Sequence, residues 1–238
     1  SSESVTGKVA IHLTTDRYDR PANVQMAILS PELDTVFIDD IRTKIDGKSD
    51  KMTLNVPFTI NSPQLWCDKA GEQPLYSIIA KVSTNTTVDS VAVKTGFRSI
   101  SIGNDHLLRI NGNASRIRGV AMYNDRAGVG SALRSEHIAE DISLISEIGA
   151  NMIRLVTTPA ASGYLDERDR RGIGVWCDIP LVNSPFLADV PYTTSPALAE
   201  SGREQLREII AQNYNRPSVL MWGIFSKLVV PGDDPRPY

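Results

Sequence analysis

The sequence has few cysteines, little net charge and no long apolar run, and each of these absences excludes a class of protein. Its two cysteines, Cys67 and Cys177, lie far apart, without a CxxC motif or a nearby histidine pair, so we expect unpaired thiols and no zinc site. The net charge of −3 argues against a nucleic-acid binder, which usually carries a basic stripe. No segment approaches the ~18 consecutive apolar residues of a membrane-spanning helix. We therefore expect no metal, no nucleic-acid partner and no membrane partner.

The composition, with 41% hydrophobic and 22% charged residues, is that of an ordinary globular protein, and 238 residues suffice for one large or two ordinary domains. Up to Ile102, apolar residues alternate with period two between regularly spaced turn clusters. About seven short strands without an intervening helix are typical of an immunoglobulin-like β-sandwich, although the Cys…Trp…Cys spacing of antibody domains is missing. Trp66, which follows a proline turn, is predicted to pack in the core. The clearest strands are 8–13, 23–29, 35–39, 52–56, 76–82 and 89–94.

After Ile102 the pattern changes to strands that alternate with helices. Asn111-Gly112 predicts a tight β-hairpin, and Ser135 is the predicted N-cap of the first helix. Repetition of a strand and a helix every ~30 residues is typical of a parallel α/β sheet or barrel. No GxGxxG motif follows a strand, which disfavours a dinucleotide cofactor, and no other cofactor is predicted. The sequence thus predicts an all-β sandwich at 1–102 and an α/β domain at 103–238. The α/β strands are 117–122, 151–156, 174–179 and 219–225, and the helices are about 136–148, 164–171 and 195–214.

The last predicted strand, 219–225, is apolar on both faces, which is typical of a parallel sheet covered by helices. In such sheets the catalytic groups lie just beyond the carboxyl ends of the strands. Ser226 and Lys227 occupy that place, so a hydroxyl and an ammonium stand where a catalytic carboxylate is expected. No Glu or Asp occurs between Glu208 and Asp233, so a small shift of the strand end cannot supply one.

Several ordered segments resemble glycoside hydrolase family 2, which contains β-galactosidases and β-glucuronidases. The resemblance implies a sandwich followed by the first half of a (β/α)8 TIM barrel, hydrolysis of O-glycosyl bonds, and a carbohydrate (β-glycoside) ligand. It also implies a sugar-binding domain before Ser1 and the rest of the barrel after Tyr238, and it favours a periplasmic or extracellular location. The barrel segments are 117–125 (IRGVAMYND), 141–155, 174–181 (GVWCDIPL) and 213–223 (NYNRPSVLMWG), and those of the sandwich are 62–66 (SPQLW) and 94–100 (KTGFRSI).

The resemblance also implies where the site lies. In the family the strand that begins at Val219 ends in Asn-Glu, whose Glu is the general acid/base, and Ser226 and Lys227 stand at these positions. The nucleophilic Glu of the family comes from a late barrel strand that this chain does not contain. Tyr123 and, approximately, Thr157 replace two family histidines, and Asp178 stands about where a Glu is frequent. The residues implied to bind substrate are Arg118, Tyr123, Asn124, Asp125, Arg154, Asp178 and Ser226.

The chemistry explains why Lys227 matters. A retaining glycosidase needs two carboxyl groups about 5 Å apart, one as nucleophile and one to protonate the leaving oxygen. An ammonium with an ordinary pKa of about 10.4 is a poor acid near neutral pH, and its charge opposes the oxocarbenium-like transition state. The leading hypothesis is therefore a family homologue without catalytic activity, a pseudoenzyme. Two alternatives stay open: a working β-glycosidase with Asp178 or Asp125 as a relocated acid, and a non-catalytic carbohydrate- or protein-binding module.

A half-barrel on its own would leave part of its sheet uncovered. Four parallel strands without the other four leave two unpaired edges and expose the inner apolar face. We therefore expect this chain to self-associate through the open half-barrel, or to belong to a longer assembly.

Overall fold

The structure, a computed structural model, describes residues 3–14, 20–46, 51–158, 162–180 and 196–224. The chain divides into two compact units. One consists of Ser1–Trp66 and Pro74–Phe97, and the other of Cys67–Gln73 and Arg98–Tyr238. The predicted domain boundary after residue 102 falls a few residues inside the second unit, and a short segment from within the sandwich sequence also belongs to that unit.

The first unit is a sandwich of antiparallel strands, as the period-two pattern predicts. One sheet pairs β1 with β4, and the other has the order β3-β2-β5-β6. Six strands lie in the described part of this unit, where about seven were predicted, and every segment predicted as a strand lies within one of them. The strands are β1 (Ser4–Leu13), β2 (Arg20–Leu29), β3 (Thr35–Ile45), β4 (Met52–Asn61), β5 (Tyr76–Ser83) and β6 (Val88–Thr95).

Alternate residues of these strands form the core of the first unit. The central strand β2 contributes Val24, Met26 and Ile28, which are fully buried and cluster with apolar residues of β4 and β5. Trp66 is also fully buried, and its backbone N–H donates to the Phe97 carbonyl at 2.9 Å. The predicted packing role of Trp66 is confirmed.

The second unit contains a small antiparallel sheet of β7 (Ile100–Ile102), β8 (Leu108–Ile110) and β9 (Asn113–Ala114). Asn111 and Gly112 join β8 to β9 with φ angles of 51° and 77°. A type I′ turn requires positive φ at both positions, and asparagine and glycine adopt it with the least strain. The hairpin predicted at this dipeptide is confirmed.

Four parallel strands, paired in chain order, form the main sheet of the second unit. Helices follow the first three of them, which is the predicted succession and the arrangement of the first half of a (β/α)8 barrel. Ile153, Leu155, Val175 and Val219 of the sheet pack with Ile142 of the first helix in one buried cluster. The elements are β10 (Gly119–Met122), α1 (Ser135–Glu147), β11 (Met152–Leu155), α2 (Ser162–Arg171), β12 (Gly174–Asp178), α3 (Pro196–Asn213) and β13 (Val219–Gly223).

The N-terminus of α1 differs from the prediction. Arg134 is the N-cap and Ser135 is already helical. The Arg134 N–H donates to His137 Nδ1 at 3.2 Å, so a side chain in the first turn satisfies the backbone group that precedes the helix. The predicted end near residue 148 is confirmed: Ile148 is the C-cap, and Gly149, with a φ of 72°, donates to the Ser146 carbonyl at 3.0 Å.

Within the described ranges, no helix is long and apolar enough to cross a membrane. The same ranges hold no group of three or more His, Cys, Asp or Glu side chains that could bind a metal ion. Cys67 and Cys177 are free thiols, as expected, and burial raises the pKa of Cys177 to about 12.

Candidate functional site at the carboxyl ends of the parallel strands

The carboxyl ends of the four parallel strands lie along one edge of the sheet, where the sequence predicts a site. Tyr123 directly follows β10, Asp178 is the last residue of β12, and Gly223 is the last residue of β13. The pairing places Met122 beside Leu155, and Asp178 beside Gly223. Strand order therefore brings together side chains that are far apart in the sequence.

Arg154 and Asp178 form an ion pair at this edge. Arg154 Nε and Nη2 each lie 3.0 Å from Asp178 Oδ2. The Asp178 side chain is fully buried, whereas 35% of the Arg154 side chain is exposed. The guanidinium carbon of Arg154 also lies 4.5 Å from the centre of the Trp176 ring, within the range of a cation–π contact. The carboxylate and the indole fix the guanidinium, and part of the arginine stays accessible to a ligand.

Asp178 is in an unusual electrostatic environment. Burial raises its pKa, because removal from water disfavours the charged form, and the opposing effects of Arg154, the Thr157 backbone and the Trp176 indole do not cancel that rise. Asp178 Oδ1 and Trp176 Nε1 are both buried, and neither has a hydrogen-bond partner of good geometry among the described residues. One carboxylate oxygen is therefore held firmly by Arg154, and the contacts of the carboxylate with the Thr157 backbone and the Trp176 indole are weaker.

Gly223 provides the space that Asp178 needs. A Cβ atom at this position would lie 1.9 Å from Asp178 Oδ1 and 2.6 Å from Trp176 Nε1, so any side chain would displace them. The sequence prediction did not assign Gly223 or Trp176 to the site. Trp176 lies two positions before Asp178 in β12, on the same face of the strand, and this spacing was a signal that could have identified it. Nothing local distinguishes Gly223, because its role comes from the neighbouring strand.

Three further predicted residues follow β10 at this edge. Tyr123 has 46% of its surface exposed, Asn124 is half-buried and Asp125 is exposed. An exposed aromatic ring beside an amide and a carboxylate offers the stacking surface and hydrogen-bonding groups that a polar ring-shaped ligand requires. Thr157, at the equivalent place after β11, has a φ of 58°, which is rare for a β-branched residue. Backbone strain of this kind is frequent at functional sites.

Arg118 lies apart from the other predicted residues. It directly precedes β10 and is therefore at the amino end of that strand, whereas Tyr123 follows the carboxyl end. Its Nε donates to the Gly149 carbonyl at 2.7 Å and its backbone N–H donates to Asn151 Oδ1 at 2.8 Å. These bonds hold the start of β10 beside the turn that follows α1. The structure does not bring Arg118 together with Arg154 and Asp178.

Ser226 and Lys227, the two residues predicted at the acid/base end of β13, lie outside the described residues, which end at Ile224 in this part of the chain. Their assignment therefore depends on the sequence.

Comparison with protein families places both units in one family. The model described as "Glycosyl hydrolases family 2, TIM barrel domain" matches residues 100–227, and the model "Glycosyl hydrolases family 2" matches residues 1–98. The first match ends at Lys227, so the segment that leads to this residue lies within the matched region.

Individual relatives agree with this result. A beta-glucuronidase of Bacteroides fragilis is 37% identical over 185 residues, which are 77% of this chain and 26% of that protein. The beta-galactosidase BoGH2A of Bacteroides ovatus is 24% identical over 227 residues, 94% of this chain and 26% of that protein. The crystal structure of a Bacteroides uniformis beta-glucuronidase matches with a TM-score of 0.82 at 23% identity, over 93% of this chain and 26% of that one, and this likeness concerns the fold. The chain spans about a quarter of the length of these relatives.

Proposed function

The chain belongs to glycosyl hydrolase family 2, and from this premise we propose that it is a carbohydrate-binding member that has lost the proton donor for hydrolysis. The relatives that it resembles carry the names beta-glucuronidase and beta-galactosidase, so the ligand class that we propose is a β-linked glycoside. The observation that carries the proposal is Lys227, which stands where the family resemblance implies a general acid/base glutamate.

The substitution affects the step in which the glycosidic bond breaks. The acid must give a proton to the leaving oxygen, and general acid–base assistance of this kind contributes about 10²–10⁴-fold to the rate. A lysine at this position is protonated but holds its proton too tightly near neutral pH. It also adds a positive charge where the transition state becomes positive. Ligand binding does not depend on this proton transfer, so binding can persist without hydrolysis.

The geometry of Asp178 argues against this residue as a replacement for the lost acid. A replacement acid must reach the leaving oxygen of the substrate, at hydrogen-bond distance or through one water. Asp178 has no exposed surface, one of its oxygens is bound to Arg154, and the other lies against Gly223. Asp125, the other candidate for a relocated acid, is exposed and follows β10 rather than β13. Arg154 and Tyr123 keep exposed surface that a ligand can contact.

The decisive test restores the carboxylate in the complete coding sequence. Lys227→Glu, alone and with Ser226→Asn, should raise the hydrolysis of aryl β-glucuronides or β-galactosides by about 10²-fold or more, because it returns the general acid. Lys227→Gln is the matched control, since it removes the positive charge without adding an acid. Robust turnover by the unmodified protein would refute the proposed loss of hydrolysis.

One observation favours a working enzyme as the second candidate. The raised pKa of Asp178 is the property that a general acid needs near neutral pH. Turnover by the unmodified protein would favour this second candidate, and Asp178→Asn in such an active preparation tests whether Asp178 is the acid. If Asp178 is the acid, the substitution abolishes turnover; unchanged turnover excludes it.

A further inference from the structure

An arginine just after the sandwich sequence binds the backbone where β13 begins. Arg98 Nε donates to the Pro217 carbonyl at 2.5 Å, and Nη2 donates to the carbonyls of Val219 at 2.6 Å and Arg216 at 3.5 Å. The rigid fork of a guanidinium suits several acceptors at once, which an ammonium on a flexible stem does not match. One side chain thus satisfies three carbonyl groups within four consecutive residues.

A buried aspartate binds the same segment through donors of Arg216 and Ser218. Asp169 of α2 has a side chain that is 4% exposed. Its Oδ1 accepts from the Ser218 N–H at 3.0 Å and from the Ser218 hydroxyl at 2.6 Å, and its Oδ2 accepts from Arg216 Nη1 at 3.1 Å. Burial lowers the pKa of Arg98 and the charge of Asp169 opposes that effect, so the two charges support each other.

The segment between these two charges determines how β13 pairs with β12. The Ser218 carbonyl accepts the Val175 N–H at 2.7 Å, at the start of the shared ladder. Directly afterwards the register shifts: Val175 pairs with Val219, whereas the next residue, Trp176, pairs with Met221. A slip of one residue in a strand turns every following side chain to the opposite face. Pairing next to a bulge therefore has to be fixed by other contacts.

The observed register is the one that the site requires. It ends with Gly223 beside Asp178, where a Cβ atom would lie 1.9 Å from the carboxylate oxygen. A slip would place Trp222 or Ile224 beside Asp178 instead. Either side chain would displace the buried carboxylate and its bond to Arg154.

We propose that Arg98 and Asp169 are positioning residues that select this register by holding residues 216–219 from both sides. The proposal gives a role to Arg98 in the segment KTGFRSI, which the family resemblance assigned to the sandwich without a role for the arginine. It depends on the proposed function in one respect, namely that β13 is the strand that leads to Lys227.

Amide hydrogen exchange tests the proposal within the chain, and Arg98→Met is the first variant because it removes the fork and keeps an aliphatic stem. The Val175 amide donates to the carbonyl of Ser218, directly before β13, at 2.7 Å, and the Ile179 amide donates to the carbonyl of Gly223, the last residue of β13, at 2.9 Å. The Gly174 and Val156 amides donate to the carbonyls of Asn151 and Met122, neither of which belongs to β13, at 2.8 and 2.9 Å. We expect exchange at the first pair of amides to accelerate by about tenfold or more relative to the second pair, since charged hydrogen bonds to the start of β13 are lost.

Arg109→Met is the matched control, because Arg109 lies in the same unit and its salt bridge to Asp105 is partly exposed. It should leave the ratio of the two exchange rates unchanged. Ser218→Ala removes one hydroxyl bond to Asp169 and should change the ratio in the same direction by a smaller factor, which keeps the test valid if Arg98→Met does not fold. Arg98→Lys keeps the charge without the fork and should restore protection only in part.

Equal acceleration at all four amides would overturn the proposal, because Arg98 would then stabilise the whole unit rather than β13. Unchanged exchange at Val175 and Ile179 would overturn it as well. The measurement requires neither a sugar nor turnover, so its failure is distinguishable from failure of the proposed function.

Discussion

Arg168 offers a sharp test of the energetics of the second unit, because it is a charged side chain without exposed surface. Its Nη1 donates to the Tyr164 carbonyl at 2.6 Å, Nη2 lies 3.9 Å from Met122 Sδ, and Nε has no partner among the described residues. The guanidinium carbon lies 4.1 Å from the centre of the Tyr164 ring. The nearby Asp141 carboxylate accepts the Tyr164 hydroxyl at 2.8 Å. The arginine is thus buried with little compensation for its charge.

The magnitude follows from these contacts. Burial lowers the pKa of Arg168 to about 10, which corresponds to roughly 3 kcal/mol by which the folded state disfavours the charged form. Methionine is of similar length and fills irregular apolar spaces. The Tyr164 carbonyl keeps its helical N–H partner, so only the cation–π contact, worth about 1 kcal/mol, is lost without replacement. We expect Arg168→Met to raise the free energy of unfolding by about 1–2 kcal/mol and Tm by about 2–8 °C.

Urea denaturation followed by tryptophan fluorescence measures this change. Arg170→Met is the matched control, because Arg170 lies on the same helix, is 40% exposed and pairs with Glu72 and Glu167. An exposed pair of this kind contributes less than about 1 kcal/mol, so the control should be slightly destabilised or neutral. A loss of more than about 1 kcal/mol in Arg168→Met would refute the reasoning, since the contacts of the guanidinium would then outweigh its desolvation.

Two further predictions concern the candidate site. Gly223→Ala should lower the free energy of unfolding by about 1–3 kcal/mol, because its Cβ would overlap Asp178 Oδ1. The control is Gly163→Ala in α2, whose Cβ would meet nothing within 4 Å. It should be neutral or stabilising in the same urea titration. The raised pKa of Asp178 means that the folded state binds its proton more tightly than the unfolded state, so this group makes stability fall as pH rises through the folded pKa. Asp178→Asn should therefore reduce the decline in urea midpoint as pH rises above about 4, the ordinary pKa of an aspartate, and an unchanged slope would contradict the assignment.

Much of the fold could be predicted from the sequence because its signals are local. Asn111-Gly112 identifies its hairpin, Gly149 ends its helix, and the alternation in 23–29 gives a strand that is buried on one face. The segment Cys67–Gln73 could not be assigned to the second unit in this way. It belongs there partly because Asp68 accepts bonds from Ser115 and Asn151, which are distant in the sequence.

The site could be predicted only in part, for the same reason. The resemblance to the family identified Arg154 and Asp178, and the structure joins them in an ion pair. It also grouped Arg118 with them, although strand direction places Arg118 at the amino end of β10. Gly223 was not predicted as part of the site, because its role depends on the register between β12 and β13. A register is set by contacts such as those of Arg98, which no local pattern encodes.

The contacts that hold β13 also bear on the proposed loss of the acid, because the described ones do not involve position 227. Arg98 and Asp169 bind the start of the strand, and its described end is fixed where Gly223 lies beside Asp178. None of these contacts requires a carboxylate at position 227. In the proposed function the ammonium acts on the proton chemistry beyond the strand, whereas the bonds described for residues 216–223 are made with Arg98, Asp169 and β12. We therefore expect Lys227→Glu to alter turnover while it changes the free energy of unfolding by less than about 0.5 kcal/mol, as is usual for substitutions that remove none of the stabilising contacts.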